Sequence, residues 1–312
     1  MPGIAKEHLL LTASPALARE LFRIGVARVT IETSSYCNRR CDYCPNSRID
    51  RISERNFLPD ALFERILGDL AQIGYESDIV LHYFNEPLAD PGICEKIERA
   101  AKACPKANIE IYSNGDYLDR DVLERLRQAG LKTLQLSIHL GNGVPWTDAA
   151  IISRLTELAA RLGKPAQIES FVPGHAIAGH FPDKDIAIRI KHVDYFSHGC
   201  DRGGLLDNIS TRPAAHLSCA VPLTEFYVAW NGLILPCCNF HPDAPEHKPY
   251  VIGHIGEFPD IFTAYAGSAL ADWRRSLAGP GPRQKPCDTC PAGITDPDMA
   301  KALKDAYDQA KM

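Results

Sequence analysis

The chain has little of what would tie it to a membrane or a nucleic acid. Among its 312 residues no stretch approaches the ~18 consecutive apolar residues of a membrane span. Its first twenty residues, MPGIAKEHLLLTASPALARE, lack a basic region followed by an apolar core and a small-residue cleavage site, so a cytosolic protein is expected. Lysine and arginine, 34 together against 39 acidic residues, form no block that would make a nucleic-acid or lipid patch. Internal repeats and low-complexity segments are absent, and there are only three methionines and three tryptophans. What is left is a chain that buries an ordinary core without disulfides and acts on a small molecule or a short peptide.

Cysteine is the exception, with eleven residues. In a reducing compartment so many point to metal ligation or catalysis rather than to disulfides. They cluster at 37–44, 219–238 and 287–290.

From residue 27 to about 197, short apolar runs alternate with helical patterns, the signature of β/α units around a parallel sheet. ARVTIET (27–33), DIVLHYF (78–84), NIEIYS (108–113), TLQLSIH (133–139), AQIESFV (166–172) and VDYFS (193–197) read as six strands. PDALFERILGDLAQIG, GICEKIERAAKAC, RDVLERLRQAG and TDAAIISRLTELAARLG carry apolar residues at three- and four-residue spacing, several closing on a C-terminal glycine. About six units make a partial (β/α)6 barrel, short of the eight of a closed one. Beyond GCDRGGLLDN (199–208) the pattern changes to a hairpin around Asn231-Gly232 in EFYVAWNGLILPCC, a helical stretch from 262 to 279, and CDTCPAG. A closing helix is expected over the last residues, with Asp296 and Asp298 at its positive end. The expected division is an N-terminal extension (1–26), a partial barrel (27–205), a small α+β cysteine-bearing domain (206–295) and a C-terminal helix (296–312).

The loop after the first strand, SSYCNRRCDYCPNSR, spaces Cys37, Cys41 and Cys44 as C-x3-C-x2-C at the strand end where β/α barrels place their chemistry. A zinc site would want a fourth ligand, and no histidine follows at zinc-finger spacing. A 4Fe–4S cubane explains three: one iron stays open.

This loop, with an aromatic residue, Tyr43, before the last cysteine, resembles the signature of the radical S-adenosylmethionine (SAM) superfamily. The resemblance implies that SAM chelates the open iron and is cleaved to a 5'-deoxyadenosyl radical, which takes a hydrogen atom from the substrate. YFNEPLADP resembles the family's Gly-Gly-Glu-Pro segment, with Asn85 and Glu86 before Pro87 and Phe84 where a glycine is usual. YSNG resembles the family's Ser-Asn-Gly stretch and offers Ser113 and Asn114; Ser137, Glu169 and Ser170 lie on the two following strands. All are expected to contact SAM. Cys219, the G-x4-C from Gly232 to Cys237, and the pair Cys287 and Cys290 resemble the auxiliary-cluster domain called SPASM, in its shortened, one-cluster twitch form. The spacing alone also allows zinc. Four thiolates imply a closed 4Fe–4S cluster that passes electrons, supplied to the enzyme by a flavodoxin- or ferredoxin-like reductant.

The resemblance implies dehydrogenation of a sugar-like aminocyclitol or aminoglycoside, with epimerisation open if Cys200 or Cys238 returns a hydrogen atom. Only about 27 residues precede the first strand, which disfavours a peptide-recognition domain, although a peptide-modifying enzyme stays possible. A non-catalytic zinc or iron–sulfur protein is the rival of another class. Candidate substrate contacts are Glu32, His82, Tyr83, His139 and His198.

Overall fold

The computed structural model describes residues 3–10, 14–141, 143–209, 217–279 and 281–310. One ten-stranded sheet runs through the molecule in the order β10-β9-β8-β1-β2-β3-β4-β7-β6-β5. The strands are β1 (Arg28–Ile31), β2 (Asp78–Val80), β3 (Asn108–Ser113), β4 (Thr133–Leu136), β5 (Gln167–Val172), β6 (Ala176–Phe181), β7 (Ala187–Val193), β8 (Glu225–Val228), β9 (Leu233–Leu235) and β10 (Gly253–His254). The helices are α1 (Pro15–Gly25), α2 (Asp60–Gln72), α3 (Ile93–Ala103), α4 (Arg120–Gln128), α5 (Asp148–Leu162), α6 (Tyr195–His198), α7 (Val221–Thr224), α8 (Ile261–Ala266), α9 (Ser268–Ala278) and α10 (Pro297–Ala310). No helix among the described residues is long and apolar enough to cross a membrane.

The first four β/α units form as the apolar spacing predicts. Alternate strand residues such as Val29, Ile31, Ile79, Ile109, Ile111, Leu134 and Leu136 meet Phe63, Ile66, Leu70, Ile97, Leu123, Leu126, Ile151 and Leu158 from the helices in one buried core. The opposite face of these strands carries Arg28, Asp78, Glu110, Tyr112 and Gln135 beside the buried Val80. Arg28 is its ionic floor, 3.1 Å from Asp78 and 3.8 Å from Glu110. The partial barrel is therefore an open, polar-lined trough.

After α5 the pattern changes. The fifth expected strand is real, but it is the outer edge of an antiparallel meander, β5-β6-β7, turned at Gly174 with φ +73°. The sixth, VDYFS, is instead the end of β7 followed by the one-turn helix α6, capped by Asp194 through Phe196 N–H. The alternation of exposed Ala187, Arg189 and Lys191 with buried Ile188, Ile190 and His192 marks β7 as a strand, a period-2 signal upstream of the expected one.

The sheet also does not stop at the expected boundary after residue 205. β8 pairs in parallel with β1, Val29 opposite Phe226, so six parallel strands run β8-β1-β2-β3-β4-β7. Residues 210–216, leading into this part, lie outside the described residues. β8 and β9 form the expected hairpin, and Gly232 at its turn has φ +76° and lies where a Cβ would stand 2.4 Å from His254. α1, read only as part of an extension, packs Phe22 against Phe226, Phe262 and Tyr265. Asp296 caps α10 through Met299 N–H at 2.8 Å.

Candidate functional site

The loop from Glu32 to Leu58 leaves β1, carries the three cysteines and folds back on itself. Leu58 N–H donates to Thr33 O, Ser35 N–H to Asn56 O and Cys37 N–H to Arg51 O, at 2.8 to 3.1 Å. Its anchor is an ion pair with essentially no exposure: Arg51 Nη1 donates to Glu32 Oε1 at 2.9 Å and to Ser35 O at 3.0 Å. Glu32 also accepts from Phe84 N–H at 2.9 Å and Trp230 N–H at 3.3 Å. Glu32 is thus a structural knot joining β1, β2 and the β8–β9 turn, and it is fully buried, away from any substrate.

The cysteine stretch is stapled to the ends of β3 and β4. Arg39 grips Asp116 bidentately, both contacts 2.7 Å, and donates to Leu140 O at 2.9 Å; Asn38 donates to Asp116 at 2.7 Å and accepts from Asn114 at 2.8 Å. Arg154 from α5 also reaches Asp116. Neither Arg39 nor Asp116 carries a local sign of this partnership, so sequence reading misses both.

All eleven cysteines are free thiols. Burial pushes Cys37 up to about 12 and Cys41 up to about 11, with neighbouring loop thiols adding to both. Three thiols in one pocket therefore repel further negative charge until a cation joins them, a donor set suited to iron. Among the described residues no three ligands converge on a single ion.

Beside the loop, Glu86 is 2 % exposed and accepts from Ser113 Oγ at 2.7 Å, Asn114 N–H at 2.8 Å and Leu88 N–H at 3.0 Å. Burial raises its pKa to about 7 against those donors. Glu86, Ser113 and Asn114 are thus one cluster next to Cys37. Asn85 instead turns inward, accepting from Tyr83 N–H at 3.0 Å and donating to Ser34 Oγ at 3.4 Å. Phe84 packs 4.5 Å from the His241 ring and 4.6 Å from Tyr83, filling the seam between trough and C-terminal part. Tyr83 belongs to the same seam, its hydroxyl donating to Cys237 O at 2.8 Å and to Phe240 O. It ties the strand to the second cysteine set and is not free for substrate.

The Tyr43 hydroxyl is hydrogen-bonded to His139 Nδ1 at 2.8 Å and its ring stacks on Tyr195 at 4.7 Å, and Tyr195 is hydrogen-bonded to Ser137. Burial, then His192 and Arg39, holds His139 neutral with a pKa near 3. His82 is likewise lowered to about 3, by burial and then Arg202. Its ring lies 5.3 Å from Tyr112 in the trough, and neither ring nitrogen has a hydrogen-bond partner among the described residues. Glu169 and Ser170 do not join this group. They sit exposed on edge strand β5, Glu169 2.7 Å from His180, because β7 and β6 stand between that strand and β4 and carry it to the far edge of the sheet. His198 is exposed, and its ring lies 5.4 Å from that of His175.

Cys219, Cys237, Cys287 and Cys290 line one cavity of about 40 Å³, with Cys238, Val221, Phe240, Trp273 and Leu277 around them. Backbone N–H groups of Asn239 and Ala292 point at Cys237 Sγ and Cys290 Sγ, at 3.3 and 3.4 Å. The Asn239 side chain, which sequence reading missed, links this cavity to the trough. Its Nδ2 donates to Cys290 Sγ at 3.6 Å, while Oδ1 accepts from Cys200 Sγ at 3.1 Å and from Arg202 at 3.2 Å. Arg202 adopts φ +52°, unusual for a side-chain-bearing residue, and lies between the two cysteine sets. Burial opposes its charge, but the thiols of Cys200, Cys238 and Cys44 and the Tyr195 hydroxyl more than offset this, so it stays a cation.

A parallel trough with a three-thiol loop at its strand ends and a four-thiol chamber alongside defines an iron–sulfur oxidoreductase with one open and one closed centre. Residues 31–146 match the radical SAM superfamily model, and residues 219–291 match that of the SPASM iron–sulfur cluster-binding domain. The chain thus carries a radical SAM domain and a SPASM-type domain, which imply SAM and 4Fe–4S clusters as its cofactors. It is 27 % identical over 229 residues to the S-adenosyl-L-methionine-dependent 2-deoxy-scyllo-inosamine dehydrogenase of Niallia circulans, covering 73 % of this chain and 78 % of that one. The crystal structure of BtrN in complex with AdoMet and 2-DOIA superposes with a TM-score of 0.60 at 23 % identity, over 86 % of this chain and 93 % of BtrN. SuiB from Streptococcus suis bound to its precursor peptide SuiA gives 0.50 at 13 %, over 89 % and 74 %. These two likenesses concern the fold.

Proposed function

We propose that the enzyme dehydrogenates a small polar substrate of the sugar, aminocyclitol or aminoglycoside class, and that it does so in the cytosol with a flavodoxin- or ferredoxin-like reductant. The observation that carries this is the four-cysteine cavity joined to the trough through Asn239 and Arg202. The similarity to a 2-deoxy-scyllo-inosamine dehydrogenase over most of both chains supports the substrate class.

When bound, SAM and its cluster supply a 5'-deoxyadenosyl radical, and the closed cluster supplies an acceptor for the second electron. Cys37, Cys41 and Cys44 would hold the first cluster; Cys219, Cys237, Cys287 and Cys290 would hold the second. Glu86 offers a carboxylate to the SAM ammonium, with Ser113 and Asn114 fixing its orientation. Tyr43, braced by His139 and Tyr195, closes the side of this pocket. In the trough, neutral His82 offers a ring nitrogen as acceptor to a substrate hydroxyl, and Arg202 offers donors only. A hydroxyl between them is oriented, and negative charge on its oxygen is favoured by the cation.

Epimerisation is less favoured because Cys200 directs its S–H to Asn239 Oδ1 at 3.1 Å. Anaerobic turnover in deuterated water with candidate cyclitols and amino sugars tests the reading. A product two hydrogens lighter, formed with 5'-deoxyadenosine, supports it. Solvent deuterium at an inverted carbon, lost in Cys200→Ala or Cys238→Ala, would establish epimerisation instead.

A further inference from the structure

The polar face of the sheet continues well past the place where a single ring would react. From His82 a row of side chains crosses successive strands in register: Tyr112 opposite Gln135, Gln135 opposite Arg189, Arg189 opposite His180, and His180 opposite Gln167. Four inter-strand steps at ~4.8 Å make ~19 Å, several times the width of a six-membered ring. The outer part of the row borders an open cavity of about 890 Å³, near the upper end of the ~300–1,000 Å³ of small-molecule sites.

The charge along this stretch is uneven. Arg189 and Lys191, two residues apart on one face of β7, are exposed, and neither forms an ion pair among the described residues. The carboxylates nearby are occupied: Glu169 lies 2.7 Å from His180, and Asp183 takes Arg127 at 2.7 Å together with Lys164. Glu110, on the trough floor, pairs with Arg28 at 3.8 Å. Two cations outside any ion pair among the described residues thus face the cavity, Arg189 also attracted at longer range to Glu110, in a protein whose net charge is -5.

We propose that the substrate carries a phosphate group, as a monoester or within a diphosphate link, which lies along this row and docks on Arg189 and Lys191 while the ring reacts beside His82 and Arg202. The inference rests on the dehydrogenase reading and narrows it. A guanidinium and an ammonium on one strand face suit phosphate oxygens, whereas further ammonium-bearing rings of an aminoglycoside would meet like charge.

The test is equilibrium binding to the anaerobically reconstituted, SAM-loaded enzyme, using glucose, glucose 6-phosphate, UDP-glucose and inorganic pyrophosphate as probes. At least one phosphorylated sugar should bind tenfold or more tightly than glucose, more weakly as salt rises. Which of the two gains more distinguishes a monoester from a diphosphate link. The gain should fall to near one in Arg189→Gln and in Lys191→Gln, each checked for unchanged iron content and unfolding midpoint. Equal binding of all three sugars, a gain confined to pyrophosphate, or a gain that survives both substitutions overturns the proposal. Binding is read without turnover, so absence of dehydrogenation sinks the functional reading and leaves this site standing.

Discussion

Replacing Arg51 by methionine should unfasten the cysteine loop from its strand. Arg51 is 1 % exposed, neutralises a fully buried Glu32, and holds Ser35 O, two residues before Cys37. Its Nε also lies 2.8 Å from Asp243, though out of line for a hydrogen bond. Methionine conserves much of the volume, so the loss is chiefly that of a buried counter-ion, about 3–5 kcal/mol at neutral pH. That is a large part of the ~5–15 kcal/mol of a typical domain. Burial already raises the Glu32 pKa, and Arg51 opposes the rise. Without Arg51 the carboxyl rises further above its unfolded value of about 4.3, so the folded state binds the extra proton and stability falls as pH rises between those two values. The penalty in Arg51→Met should therefore be largest near pH 8 and shrink toward pH 5, and Glu32→Gln in the same chain should recover part of it. Guanidinium denaturation of the metal-free, reduced protein at several pH values reads this directly. A loss below about 1 kcal/mol, or a double variant as unstable as the sum of the singles, would refute the reasoning.

Three further outcomes follow from the site. Asp116→Ala frees Arg39, Asn38 and Arg154 together; the variant should lose iron selectively from the first centre, seen as a drop of about half in iron per chain with the second centre's electron paramagnetic resonance signal intact. Because the Glu86 pKa stands at about 7 before SAM arrives and a carboxylate is what an ammonium prefers, SAM affinity should fall up to tenfold per pH unit below 7. Glu86→Gln should bind more weakly and flatten that dependence in equilibrium dialysis. Asn239→Ala removes an N–H donor to Cys290 Sγ, so a redox titration should place the auxiliary centre at a more negative potential than wild type, and an unchanged potential would remove Asn239 from the electron path.

What the sequence reveals is what depends on near neighbours. Cys37, Cys41 and Cys44 declare themselves by spacing, as do the four alternating units through α5 and the hairpin at Gly232. Glu86, Ser113 and Asn114 are legible because each lies at or just beyond the end of a strand whose start is visible. The antiparallel return after α5 was hidden: AIRIKHV alternates as a strand should, but only its pairing with β4 and β6 shows that no helix precedes it. Strand position alone also cannot say which polar side chain is free. Glu32 and Tyr83 have the right place for substrate contacts, yet Arg51 and Cys237 O, 19 and 154 residues away in sequence, occupy them. Asn239 and Asp116 matter through equally distant partners, with no local trace.

The division of labour between the two cysteine sets is the central claim, and paired cysteine substitutions test it most directly. In anaerobically reconstituted protein given SAM and dithionite, the triple variant Cys37→Ala, Cys41→Ala, Cys44→Ala should retain about half of the ~8 irons and form no 5'-deoxyadenosine. The double variant Cys287→Ala, Cys290→Ala should also lose iron, from the auxiliary centre, yet still cleave SAM. Formation of 5'-deoxyadenosine by the triple variant, or its complete loss in the double variant with the first centre's spectrum unchanged, would contradict the account.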